Sequence, residues 1–80
     1  MVEEFQVNKE LDASGLNCPM PLLKAKQALN VMAAGEILKV LATDPGSERD
    51  FSSFASLAGH ELLFSGQESG TYTYMLRKHG

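Results

Sequence analysis

The sequence predicts a two-layer α/β sandwich with the element order β-α-β-α-β-β. Three observations predict it. Apolar residues recur at helical spacing in two stretches, residues 19–33 and the segment between Ser47 and Gly59. Strand patterning marks four others, residues 5–13, 36–43, 61–66 and 71–78. Turn-forming residues separate all of them. Two strands joined through a helix run parallel with a right-handed crossover, whereas the last two strands, joined by a short polar turn, pair as a hairpin. If both crossovers step the same way across the sheet, both helices cover one face and leave the other open.

Each element has its own local reason. In residues 5–13, Phe5, Val7, Lys9, Leu11 and Ala13 share one parity, so this reads as a half-buried strand. Ser14 and Gly15 break it. In residues 19–33, Leu22, Ala25, Leu29 and Met32 form a stripe widened by Leu23 and Ala28, with Lys24, Lys26, Gln27 and Asn30 opposite. Pro19 at the first helical position and Pro21 within the first turn sacrifice only amides that a helix start leaves unpaired. Gly35 is a natural stop. Residues 36–43 carry Leu38, Val40 and Ala42 on one side and Ile37 and Leu41 on the other, which marks an interior strand. Asp44-Pro45-Gly46 is a turn. Ser47 followed by Asp50 resembles a capping box, and Phe51, Phe54, Ala55 and Ala58 stripe the second helix up to Gly59. Gln67 to Gly70 form the hairpin turn. Tyr72, Tyr74 and Leu76 alternate with Thr71, Thr73 and Met75, with one tyrosine a candidate for the open face. Arg77 to Gly80 read as a polar tail.

At 80 residues the chain (1–80) is expected to be one domain. The apolar share of 44% is enough for one core without staples. A single cysteine excludes an internal disulfide framework and fits a reducing compartment, so a cytoplasmic protein is expected. Met1 to Glu10 do not read as a signal peptide. No stretch approaches the roughly 18 apolar residues of a membrane span, so no membrane anchor is expected. The net charge of −3, without a basic block, argues against direct nucleic-acid binding and is easier to reconcile with protein partners.

The chemistry concentrates at Cys18. It lies just before Pro19, near the cap of the first helix, where unpaired amides and the macrodipole favour an anion, so the thiol pKa is expected to be lowered. Pro19 and Pro21 remove two of those amides but stiffen the entry turn, and Lys24 and Lys26 add positive charge at longer range. The competing reading is a small buried hydrophobe. The loop formers Gly15, Asn17 and Pro19 around it argue instead for the surface. No second cysteine exists for dithiol exchange within the chain. His60 and His79 have no sequence relation to Cys18 that would make a catalytic base; a cap or core role suits the first and a solvated one the second. One cysteine and two histidines are too few for a zinc site, so neither metal nor cofactor is expected. What remains is one-thiol chemistry: a group accepted on sulfur, held and passed on.

Three stretches resemble the TusA (SirA-like) family of sulfur carriers: Leu11-Asp12-Ala13-Ser14-Gly15-Leu16-Asn17-Cys18-Pro19-Met20-Pro21, with its Cys-Pro-x-Pro signature; Thr43-Asp44-Pro45-Gly46-Ser47-Glu48-Arg49-Asp50; and Gly59-His60-Glu61-Leu62. The resemblance spans residues 9–78 or thereabouts. It implies a mixed four-stranded sheet with two helices on one face, like the C-terminal domain of translation initiation factor three. It also implies that Cys18 takes sulfane sulfur as a persulfide from a cysteine desulfurase or another persulfide donor and passes it to an acceptor protein. The sulfur would end in tRNA 2-thiouridine, in molybdenum cofactor maturation or in sulfur oxidation. Many relatives carry a further cysteine near the positions of Phe54 and Ala55, and its absence here leaves Cys18 as the sole sulfur site.

Asp44, Arg49, Lys24 and Met20 are candidate partner-docking residues, against the plainer reading of turn cap, solvated charge and spacer. Gly15, Pro19 and Pro21 are expected to shape the helix start. Two other functions remain open from the sequence: an interaction or regulatory domain that keeps the fold without using the thiol, and a sulfur or selenium module working beside a membrane partner. A small monomer is the simplest expectation for the assembly.

Overall fold

The computed structural model describes residues 6–79. Its elements are β1 (Lys9–Ala13), α1 (Met20–Asn30), β2 (Ile37–Ala42), α2 (Ser47–Ala58), β3 (Glu61–Glu68) and β4 (Thr71–Arg77), in the predicted order. The strands form one four-stranded sheet ordered β1-β2-β4-β3. β1 and β2 are parallel, and β4 runs antiparallel to both β2 and β3, so the sheet is mixed. The connection through α2 therefore steps over the place of β4, which the last strand fills after the hairpin.

Alternation along the strands sorts side chains onto two faces. On the helix side, Leu38, Val40 and Ala42 lie opposite Leu76, Tyr74 and Tyr72. Ala25, Ala28 and Leu29 from α1, with Phe51 and Ala55 from α2, close the core over them. The small alanines let the helices lie close to the sheet, and the bulk comes from Tyr74, Phe51 and the leucines. The opposite face carries Lys39, Leu41, Thr73 and Met75, with a Glu10–Lys39 ion pair at 3.6 Å. On β3 the register shifts between Leu62 and Phe64, and the half-exposed Phe64 ring lies across Gly66, whose missing side chain makes the space.

The structure departs from the periodicities at several ends. Among the described residues the first strand begins at Lys9, because Asn8 ends the ladder itself: its amide donates to Ile37 O, and its side-chain carbonyl accepts from Ile37 N. Phe5 lies outside the described residues. α1 stops at Asn30 because Val31 and Met32 turn their amides to the carbonyls three residues back. Lys78, expected in a polar tail, is a clamp: its ammonium donates to Met32 O, and its backbone exchanges bonds with Gly35 and Glu36. The hairpin turn is only Ser69-Gly70, both at positive φ, which matches the twist of two directly paired strands, so Gln67 and Glu68 belong to β3. Tyr72 and Tyr74 share the helix-side face, their rings stacked at 6.5 Å, so neither occupies the open face.

The predicted capping box is absent. Gly46 is the cap, Ser47 is the first helical residue, and no side chain caps α2. Ser47 is instead buried, its hydroxyl bonded to the Tyr74 hydroxyl at 2.7 Å. Phe51, one turn on, stacks on the Tyr74 ring at 4.6 Å. Burial pushes the Tyr74 phenol up, so it stays protonated and able to donate. Tyr74→Phe leaves the Ser47 hydroxyl buried without its partner and is expected to cost about 1–3 kcal/mol in urea unfolding. The double variant with Ser47→Ala should recover part of that loss; strict additivity would show that the two hydroxyls do not meet.

Candidate functional site

The site is built at the carboxyl ends of the adjacent parallel strands β1 and β2, where two loops enter the two helices. Ligand sites in α/β sheets favour such ends. At the end of β1, Asp12 accepts from Ser14 N at 3.0 Å, and the Ser14 hydroxyl, with this amide second, holds its carboxyl below the ordinary range. Leu16 N bonds Ala13 O, and Gly15 takes a φ of +82° that favours glycine. The Gly15 amide crosses to the second loop and donates to Thr43 Oγ1 at 2.8 Å. That bond ties the loop carrying Cys18 to the end of β2.

Pro19 is the cap of α1, so the helix begins one position later than predicted, and Pro21 is its second residue. Cys18 therefore stands just outside the helix, exposed, with its thiol free. The Pro21 ring is buried and anchors the first turn. Across from it, Ser47 N closes the Asp44–Gly46 turn onto Asp44 O. A side chain on Gly46 would place its Cβ 3.1 Å from Asp44 Oδ2, a tight contact within its own loop, and 4.0 Å from Cys18 Cβ, an ordinary packing distance, so the second loop lies directly against Cys18.

The thiol is bonded to a carboxylate. Cys18 Sγ donates to Asp50 Oδ2 at 2.6 Å. This contact holds the thiol pKa above its ordinary value, helped by partial desolvation and by the negative charges of Asp50 and Asp44, with Arg49 opposing. The predicted lowering is thus reversed. Pro19 and Pro21 have no amide to offer, and the Met20 amide is spent on Asn17 O, so the helix start has little left for a thiolate. An acceptor-only carboxylate then decides the sign.

Asp50 is the residue that sequence reasoning put in the wrong role. Its spacing from Ser47 looked like a cap, but with Gly46 as cap it lies one turn inside α2 and faces Cys18. Nothing in the helical pattern signals a contact 32 residues away in sequence. Of the other candidates, only Asp44 and Arg49 act on the thiol through their charges. Met20 and Lys24 are exposed on α1, and Arg49 is exposed on the first turn of α2. Asp44 is partly buried, with Oδ2 unpartnered, so it is not a free surface charge. Asp50 also lines one end of an apolar groove of about 400 Å³ between the helices, shared with Leu22, Lys26, Phe54 and Leu57.

Neither histidine is among the groups acting on the thiol. His60 Nδ1 accepts from His79 N, and its ring leans on Phe54, with burial holding its pKa down. Among the described residues, no cluster of three or more His, Cys, Asp or Glu is arranged for a metal ion. No helix among them is long and apolar enough to cross a membrane.

The profile described as "Sulfurtransferase TusA" matches residues 9–78. The chain is 52% identical over 71 residues to "Sulfur carrier protein TusA" of Allochromatium vinosum, covering 89% of this chain and 93% of that protein. It is 45% identical over 75 residues to the protein of the same name in Pseudomonas putida strain GB-1, covering 94% of each. Among solved structures it resembles a SirA-like protein from Desulfitobacterium hafniense. The TM-score is 0.76 at 25% identity, covering 90% of this chain and 99% of that one.

Thr43→Val keeps the side-chain shape and deletes the acceptor of the Gly15 amide. It is expected to cost about 1 kcal/mol in thermal or urea unfolding. Amide hydrogen exchange at Gly15 should accelerate in step; an unchanged exchange rate there would show that the bond between the two loops does not form.

Proposed function

Because the chain belongs to the TusA family, we propose that it carries sulfane sulfur as a persulfide on Cys18 and relays it between a donor and an acceptor protein. One observation supports this most: the only cysteine of the chain stands exposed on a loop that two helices and two strand ends hold firmly. A carrier needs its sulfur within reach of two different partner thiols in turn, and an exposed position on the loop after β1 gives that access.

The transfer follows thiol–disulfide logic. Cys18 Sγ attacks the terminal sulfur of a donor persulfide. A new sulfur–sulfur bond forms on Cys18, the donor's own sulfur–sulfur bond breaks, and the donor cysteine leaves as a thiolate that takes up a proton. The second half repeats the step with Cys18 as donor and an acceptor thiol as nucleophile. A persulfide is a reversible cap, so the cycle needs no external oxidant or reductant. With no second cysteine in the chain, the loaded sulfur is not lost to an internal disulfide.

The donor in this reading is a cysteine desulfurase or another persulfide-bearing protein, in the reducing setting of the cytoplasm. The final sulfur product is tRNA 2-thiouridine or that of a related sulfur pathway. Met20, Lys24 and Arg49 are the exposed side chains of the two helix starts that partners meet in this reading, while Asp44 contributes through the electrostatics of the loop. Gly15, Pro19 and Pro21 fix the backbone on which Cys18 is presented.

Incubation with a cysteine desulfurase and cysteine, followed by intact-mass measurement without reductant, is expected to show the addition of one sulfur atom. The Cys18→Ser protein should gain none. Absence of the gain, or a gain that survives the substitution, contradicts the reading and favours a domain that keeps the fold without using the thiol.

A further inference from the structure

We propose that Asp50 is a latch on the carrier sulfur: it holds the empty Cys18 thiol by its proton against α2 and turns the sulfur outward once a persulfide has formed. The second half of this proposal rests on the carrier reading above; the first does not.

The geometry carries the first half. Asp50 Oδ2 lies 2.6 Å from Cys18 Sγ, and Asp50 is only partly exposed. Its helix is seated by the buried Ser47–Tyr74 bond and the Phe51–Tyr74 stack, so the carboxylate is presented from a fixed support. An ionised carboxylate only accepts hydrogen bonds. The contact therefore exists only while Cys18 supplies a hydrogen. On the neighbouring turn Asp44 adds a second negative charge near the same sulfur, and among the described residues Arg49 is the one cation acting on it.

Loading changes all of these terms together. A persulfide is more acidic than the thiol it replaces, so its terminal sulfur is anionic at neutral pH and brings no hydrogen to Asp50. Two carboxylates then repel it. Space agrees with charge: the added sulfur–sulfur bond is about 2 Å long, and toward α2 that room is already filled by Asp50 Oδ2, with Gly46 close on the same side. The open direction is solvent, to which Cys18 is exposed. During loading the thiol proton is lost to water as Sγ bonds the donor's terminal sulfur. The donor sulfur leaves with the bonding electron pair and takes up a proton from water. In sum, one thiol and one persulfide become one persulfide and one thiol.

The two halves have different readouts. The pH dependence of iodoacetamide alkylation of the empty thiol is compared between the unaltered protein and Asp50→Asn, with Asp50→Ser as a second variant and far-UV circular dichroism confirming the fold of each. Losing the carboxylate is expected to move the alkylation midpoint to lower pH. It should also speed the reaction at neutral pH at least about threefold, the larger thiolate fraction outweighing its lower nucleophilicity. Overlapping profiles in both variants overturn the latch. Each protein is then loaded with inorganic polysulfide and the persulfide is alkylated. Equal persulfide rates in all the proteins are expected, since the loaded sulfur has left Asp50; a persulfide restrained by Asp50 as strongly as the thiol overturns outward release. If the unaltered protein takes up no sulfur from polysulfide or from a desulfurase, the carrier reading and outward release fall together, while the comparison of empty thiols still decides the restraint.

Discussion

The structure depends on one buried contact, the seat of α2 on the Tyr74 side chain. The hydroxyl of Tyr74 meets Ser47 at 2.7 Å, and its ring carries Phe51 at 4.6 Å. A tyrosine at the centre of a core this small is tolerable only if its hydroxyl is paired, and Ser47 is the partner that the fold supplies. The consequence reaches the surface. Fixing Ser47 and Phe51 also fixes Gly46 and Asp50, the residues before and between them, and both of these face Cys18. The environment of the thiol is thus set from inside the sandwich, by packing between α2 and β4, more than by the helix that follows the cysteine.

That arrangement gives the thiol a protonated resting state. Its pKa is raised by the Asp50 hydrogen bond first and by the neighbouring charges after it. By linkage, this contact favours the folded chain at any pH below the thiol pKa of the unfolded chain, and the contribution is lost as pH rises through the folded value. A restrained thiol is a sensible resting state for the proposed carrier. A thiol held protonated is a weaker nucleophile toward passing electrophiles, and exposure still lets a partner reach the sulfur.

Much of the fold was legible in the sequence because its signals are local. The periodicity of Leu38, Val40 and Ala42, the stripe of Ala25 and Leu29, and the glycine at 59 place strands, helices and one helix stop without knowledge of the rest, whereas Gly35 lies beyond the end of α1 at Asn30. The position of the site was legible for the same reason: Cys18 between Gly15 and the two prolines marks a loop at a helix start. What failed depended on distant residues. Asn8 ending β1, Lys78 clamping the end of α1 and Ser47 bonding Tyr74 all join segments far apart in the chain. Asp50 is the sharpest case. A spacing that suited a capping box concealed a contact with the thiol, and the general expectation for a cysteine at a helix N-terminus then gave the wrong sign. The prolines contained a warning, since each one removes an amide that the expectation relied on.

The central claim is that Asp50 holds Cys18 as a thiol in the folded, empty protein. A titration of the protein labelled with carbon-13 at the cysteine Cβ tests it most directly, run once in buffer and once in concentrated urea. The account predicts a single deprotonation step in the folded protein with its midpoint above that of the unfolded chain. A folded midpoint at or below the unfolded one would mean that the helix start, and not the carboxylate, governs the sulfur.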